Sequence, residues 1–468
     1  MSLLRRKPVL LDALPEHQRL ARTLGWPSLL ALGVGAIVGT GILTLIGVGA
    51  DRAGPAVLWS FVVAGAICAC AALAYAELAT AIPASGSAYT YSYATLGEII
   101  AWVVGWSLIL EYSLVVATVA VGWSGYFQGF LGGLGLHLPA WLGKGPALGN
   151  GGQLGINLPA VAIIAAVAAL LSAGTRESAR LNTGLVILKL ATLILFVGVA
   201  LPHFNPAHLQ PFAPYGYGSV ADTNGVKHGM MAAAAIIFFA FYGFDAISTA
   251  AEEAKNPRRD LAIAIVGAMV ACTVIYLLVA AAAVGALPFT QFAKSDEPLA
   301  LILRHIGQPG IATVVAAAAA IALPTVILAF LYGQSRIFLV MARDGFLPAR
   351  LAAVSQRGSP VRITWTTAAF VSVIAALTPL DLIASLANAG TLLAFIAVAS
   401  CVLVRRRRGE VSSGFRTPLA WAVCPAAIGG CLYLFTSLQA VTQWSFLVWN
   451  GLGLLVYFLY GRRRAVLN

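Results

Sequence analysis

Four ionisable side chains stand where a charge is expensive. Glu77 (AYAELAT), Glu111 (SLILEYS), Lys189 (LVILKLATLILFV) and Asp245 (FYGFDAIS) each lie within a run of apolar residues. A charge deep in hydrocarbon costs a few kcal/mol on insertion scales and usually marks a pathway, a relay or an internal ion pair. Lys189 is the most informative, being flanked by apolar residues on both sides and too far from the ends of its run for its ammonium group to snorkel out. Burial disfavours the charged form of an amine, so Lys189 reads as a candidate proton site, with Glu111 and Asp245 as candidate partners. The structural alternative is a permanent ion pair that holds helices in register. Glu77 precedes the turn at Pro83 and reads as interfacial and structural, and Glu252 and Glu253, followed by Lys255-Asn-Pro-Arg-Arg-Asp260, as loop salt bridges rather than ligands.

Two apolar segments are poorly made for continuous helices. Gly33-Val-Gly-Ala-Ile-Val-Gly-Thr-Gly41 carries four glycines in nine positions, and each costs about 1 kcal/mol relative to alanine in a helix interior. Phe238-Phe-Ala-Phe-Tyr-Gly-Phe-Asp245 places a glycine and a carboxylate in a run that should be uniformly apolar. An interruption at membrane depth bares peptide groups, which is tolerated only where they are buried in protein or line a cavity. The N–H groups around Gly39, Thr40 and Gly41 would begin a second half-helix whose positive end suits a carboxylate. Free carbonyls near Ile37, and near Phe239 and Tyr242, would receive an ammonium group. That is the chemistry of recognising an amino-acid backbone, with side-chain selection left to other residues. Small-xxx-small packing through Gly35 and Gly39 accounts for the first segment alone, but not for the matching interruption in the second. One of Phe239, Phe241 and Phe244 could close over a substrate as a gate.

The elements that must position these residues follow from composition. The 468-residue chain is 60% hydrophobic and 10% charged, with a mean hydropathy of +0.88, so its apolar groups need a bilayer and no separate soluble domain is expected. Apolar runs near 28–50, 56–80, 98–130, 158–174, 183–202, 229–251, 262–286, 311–342, 361–377, 380–404, 418–438 and 443–461 have the length of about 20 residues that crosses roughly 30 Å of hydrocarbon. The organisation expected is an amino-terminal tail over 1–27, a core over 28–404 with halves near 28–202 and 229–404, and a closing stretch over 405–468 holding a loop, two further helices and a short tail. The interrupted helices, first and sixth, are five crossings apart, so the second half enters from the opposite side. Interrupted helices at matching positions of inverted halves point to a transport site at their interface.

Charge gives an independent reading. With the amino terminus in the cytoplasm, 23 of the 29 lysines and arginines fall in cytoplasmic segments, 5 (Arg52, Lys144, Lys227, Lys294, Arg304) fall on the opposite side and Lys189 lies within a helix. The bias fits an even helix count with both termini cytoplasmic. The net charge of +12 belongs to loops between apolar runs rather than to a basic face, which argues against a nucleic-acid partner. The cluster Arg405 to Arg408 suits anionic headgroups and topology. The six cysteines lie within or at the ends of apolar runs and the six histidines in loops or the tail, which favours neither a disulfide framework nor a metal site. The amino terminus shows no apolar core followed by a small-residue cleavage site, so no signal peptide is expected.

GAIVGTGIL in helix 1, GSAYTYSYATLGE after helix 2, GWSLILEY in helix 3, FYGFDAISTAAEEAKNPRRD across helix 6 and LYGQSRIFLVMARDGFLP at the end of helix 8 resemble the amino acid, polyamine and organocation superfamily, and within it the cationic amino acid transporter family. The resemblance runs from about residue 20 to 405. It implies an all-α integral membrane fold in a bacterial inner membrane: two inverted five-helix repeats with broken helices 1 and 6, plus two extra helices, working by alternating access. Matched residue by residue, it assigns the substrate backbone to Ile37, Gly39, Thr40, Gly41, Phe239, Tyr242 and Gly243. It sets Lys189 where proton-coupled relatives carry a lysine in place of sodium, and Asp245 where relatives have an acid suspected of protonation. Many bacterial members are thought to prefer neutral amino acids, and Leu323, standing where the substrate side chain should end, disfavours a long cationic one.

The expectation is therefore proton-coupled symport of small neutral L-amino acids, with no cofactor besides the proton and with the substrate and the bilayer as partners. A carrier or exchanger of cationic amino acids, drawing substrate charge to Asp245 or Glu111, is the first alternative. A membrane enzyme would need clustered metal ligands or a nucleophile and base at one face, and a sensor would need an output module; neither is evident in the sequence.

Overall fold

The computed structural model describes residues 5–6, 24–84, 86–145, 155–172, 179–223, 225–251, 254–348, 361–410 and 414–462. Glu252 and Glu253, read as loop salt bridges, lie outside the described residues, as does most of the amino-terminal tail.

Among the described residues, nine helices are long and apolar enough to cross a membrane, and three shorter apolar helices, Trp26–Ile37, Leu158–Ser172 and Val361–Leu377, accompany them. The spans are α1a (Trp26–Ile37) and α1b (Thr40–Leu43, continuing as Leu45–Ala53), α2 (Val57–Ala81), α3 (Glu98–Gly133), α4 (Leu158–Ser172), α5 (Ala179–Ala200), α6a (Met230–Ile237) and α6b (Asp245–Thr249), α7 (Pro257–Ala286), α8 (Pro309–Ala322, continuing as Pro324–Arg343), α9 (Val361–Leu377), α10 (Leu380–Arg407), α11 (Ala420–Ser437) and α12 (Ala440–Val456). Breaker residues punctuate them. Gly54, at φ +62, with Pro55 turns α1b into α2, and Pro379, in an extended conformation, separates α9 from α10. Pro324 has no N–H to continue the ladder of α8.

Contacts between elements follow the two halves: α2 packs along α7, α3 along α8 and α4 along α9, each helix meeting its counterpart five spans later. The broken helices cross in the same sense, with α1b against α6a and α1a against α6b, which is the antiparallel arrangement of inverted repeats. Side chains that face outward from this bundle, such as Ile194, Val270, Ile321 and Leu459, are large and apolar, as a lipid-facing surface requires.

Three features differ from the apolar-run reading. The loops hold short helices, Ser87–Thr95 and Pro298–His305, and an antiparallel β-hairpin that pairs Val220 with His228 and Ala221 with Lys227; each is too short to register as a membrane-length run. α7 begins at Pro257 rather than 262, because proline is at home in a first helical turn. α8 carries Pro324 inside its run and lacks the hydrogen bond that residue's N–H would make, although the Leu323 backbone stays helical (φ −60, ψ −36).

Glu77 is buried at the end of α2. Arg406 at the end of α10 donates to both of its oxygens, Nε at 3.0 Å and Nη2 at 2.9 Å, and the Thr417 N–H donates to Oε2 at 2.8 Å. The Thr417 hydroxyl in turn donates to the Leu73 carbonyl at 2.9 Å, so one carboxylate joins α2, α10 and the approach to α11. Removing one member of such a pair orphans the other. Glu77→Gln is expected to destabilise the detergent-solubilised protein by on the order of 3 kcal/mol, read as a lowered thermal midpoint. The double variant Glu77→Gln/Arg406→Gln should lose less than the sum of the two singles.

Candidate functional site

The helical ladder of α1a stops at the bond from the Val38 N–H to the Val34 carbonyl. Val38 is extended, and Gly39, also non-helical, heads α1b without a side-chain cap. The carbonyls that the break orphans are met by side chains from two other helices. Gly35 O accepts from Lys189 Nζ of α5 at 2.9 Å, and Ile37 O from the Tyr276 hydroxyl of α7 at 2.9 Å. At the other end of the gap, the first N–H groups of α1b have no intrahelical partner, as in any helix start. Lys189, 3% exposed, thus ends at the last turn before the break.

α6 is interrupted in a related way. α6a gives way to a 3-10 turn, Phe238–Ala240, and the chain passes through Phe241, Tyr242, Gly243 and Phe244 outside any helix before α6b. Asn388 of α10 donates through Nδ2 to the carbonyls of Ala235 and Ile236, at 2.7 and 3.1 Å. The Asp245 carboxylate accepts from the Gly243 N–H and from the Tyr112 hydroxyl, both at 3.0 Å. Glu111, one residue before Tyr112 on α3, is 1% exposed, and its Oε2 has no hydrogen-bond partner among the described residues.

The two breaks touch backbone to backbone. A Cβ on Gly41 would stand 2.3 Å from Ala240 Cα, and one on Gly243 2.8 Å from the Ala36 carbonyl carbon; Gly243 also has a φ of +116, strained for any L side chain. Between the breaks lies a small cavity lined by Ala36, Ile37, Gly39, Thr40 and Gly41 of α1, Val115 and Val119 of α3, Phe239 and Tyr242 of α6, and Val326 and Phe330 of α8. The wall combines peptide groups with hydrocarbon, and holds no side chain of Asp, Glu, Lys or Arg.

Six of the residues singled out in the sequence line this space: Ile37, Gly39, Thr40, Gly41, Phe239 and Tyr242. Gly243 sits at its edge, against Ala36. Leu323 is buried but is not part of the wall; α8 presents Val326 and Phe330 there, further along the same helix face. Of the three gate candidates, Phe239 reaches the cavity, whereas Phe241 packs on Phe61 and Tyr276, and Phe244 on Tyr75 and Phe395. Lys189, Glu111 and Asp245 stand behind the wall rather than in it. Sequence reasoning passed over Asn388, Tyr276 and Tyr112. Asn388, a polar residue within SLANAGTLL, carried a usable signal; the valines of the wall carried none.

A family model described as amino acid permease matches residues 24–459. The branched-chain amino acid permease BcaP of Bacillus subtilis (strain 168) is 44% identical over 471 residues, covering 100% of this chain and 99% of that protein. The methylthioribose transporter of the same organism is 41% identical with the same coverage. Cationic amino acid transporter 4, vacuolar, of Arabidopsis thaliana is 35% identical over 86% of this chain and 67% of its own.

Because the backbones meet at Gly41, Gly41→Ala should force the breaks apart, lowering substrate affinity at least tenfold or preventing stable folding. Gly198→Ala on α5, where a Cβ would meet nothing within 4 Å, should leave both unchanged. Thermal shifts of the purified variants with added amino acids measure the difference.

Proposed function

The chain belongs to the amino acid permease family, and from that premise we propose that it imports small neutral L-amino acids into the cytoplasm in symport with a proton. The cavity wall is the observation that carries the substrate part. The peptide groups of the two breaks suit a carboxylate at the head of α1b and an ammonium at a carbonyl such as that of Ile37, whose oxygen accepts from Tyr276 and has a second lone pair, while the remaining wall of Val115, Val119, Val326 and Phe330 is hydrocarbon. A cationic side chain would need a counter-charge in that wall, and Glu111 and Asp245 lie outside it. The name of the 44% identical relative, a branched-chain amino acid permease, agrees with an uncharged aliphatic substrate.

Lys189 supports the coupling. Its ammonium group holds the Gly35 carbonyl in the last turn of α1a, and a charge-assisted hydrogen bond is about twice as strong as a neutral one. Loss of the proton would loosen the break, and its return would tighten it. A proton site there is tied to the geometry of the substrate site without touching substrate. The charge bias of the loops supports an orientation with both termini in the cytoplasm. The 41% identical methylthioribose transporter makes an uncharged substrate of another class the second reading.

Uptake of labelled alanine into proteoliposomes, with and without an inward proton gradient, tests the proposal. Faster accumulation with the gradient is expected, and equal rates dismiss the coupling. Excess valine should compete with alanine and excess arginine should not; competition by methylthioribose alone would favour the second reading. Lys189→Ala should lose gradient-driven accumulation and retain a thermal shift with substrate, and normal accumulation by that variant would assign the proton elsewhere.

A further inference from the structure

Two side chains in the cavity wall end in a polar atom, Thr40 and Tyr242. They are 0% and 2% exposed, and neither hydroxyl has a hydrogen-bond partner among the described residues. A buried donor without a partner costs free energy that a ligand can return. For Thr40 the partner is common to all amino acids, since this residue begins α1b beside the N–H groups suited to the carboxylate.

Tyr242 has no such general partner. Its ring is held edge-on by Phe239 at 4.8 Å and by Phe330 at 6.4 Å between centroids, and the nearby wall is hydrocarbon. A bound alanine or valine offers nothing to the phenol, whereas a side-chain oxygen does. We propose that the Tyr242 hydroxyl is a specificity determinant, favouring neutral amino acids whose side chain carries a hydrogen-bonding atom, with threonine preferred to its isostere valine. The physical basis is an asymmetry. An apolar pocket barely rejects an added hydroxyl, but a site built around a hydrogen bond penalises the analogue that lacks it. One hydrogen bond corresponds to about a five- to tenfold preference. The inference rests on the amino-acid reading above.

Threonine and valine nearly share a shape, so the ratio of their uptake isolates the hydroxyl and does not depend on how much carrier is active. Labelled threonine and valine, each well below saturation, are taken up by proteoliposomes containing the wild type, Tyr242→Phe or Thr40→Val. Threonine should lead by about five- to tenfold in the wild type, and Tyr242→Phe should erase that lead. Thr40→Val should lower both substrates together and keep the ratio. Wild-type preference for valine, in uptake or in thermal shift, overturns the proposal without any variant, as does a ratio that Tyr242→Phe leaves within twofold or that Thr40→Val shifts instead. Uptake of amino acids with an unmoved ratio sinks this inference alone, whereas uptake of neither amino acid removes the reading beneath it.

Discussion

A peptide group in hydrocarbon must find a hydrogen-bond partner, because no water is at hand to supply one. Breaking two helices at mid-span is the costly act around which this protein is arranged. The chain meets the cost with side chains drawn from four other helices: Lys189 from α5 on Gly35, Tyr276 from α7 on Ile37, Asn388 from α10 on Ala235 and Ile236, and Tyr112 from α3 on the carboxylate that holds the Gly243 N–H. Residues of both breaks, Ile37, Gly39, Thr40 and Gly41 on one side and Phe239 and Tyr242 on the other, line one shared cavity.

The same constraint explains why the polar residues behind the cavity are so few and so specific. A cap must be long enough to cross from a neighbouring helix and must end in a donor, which suits lysine, tyrosine and asparagine. The contact between the two breaks then needs residues without side chains, and glycine serves at Gly41 and Gly243 for two different reasons. At Gly41 the Ala240 backbone occupies the space, and at Gly243 the backbone turns through a positive φ as well. The two glycines thus set the point where the half-helix pairs of α1 and α6 cross.

Much of this was legible in the chain, and what was not has a physical cause. Crossing a bilayer demands long apolar runs, so the spans and their inverted halves could be counted, and glycine in a membrane helix is conspicuous enough that both breaks fell where expected. Lys189 announced itself by charge. The walls did not, since Val115, Val119, Val326 and Phe330 look like any other lipid-compatible residue until the fold turns them inward. Leu323 shares a helix face with Val326 and Phe330 but lies outside the wall, and residue spacing alone does not say at which depth along α8 the cavity opens. Loop helices such as Ser87–Thr95 escaped because they never need to span anything.

The joint around Glu77 has a bearing on how the molecule is made. Its guanidinium partner lies 329 residues further along the chain and its amide partner 340. Throughout most of translation, therefore, the end of α2 carries a carboxylate whose counter-ion has not yet been synthesised. The amino-terminal repeat thus gains this lock only once α10 and the segment leading into α11 have been made.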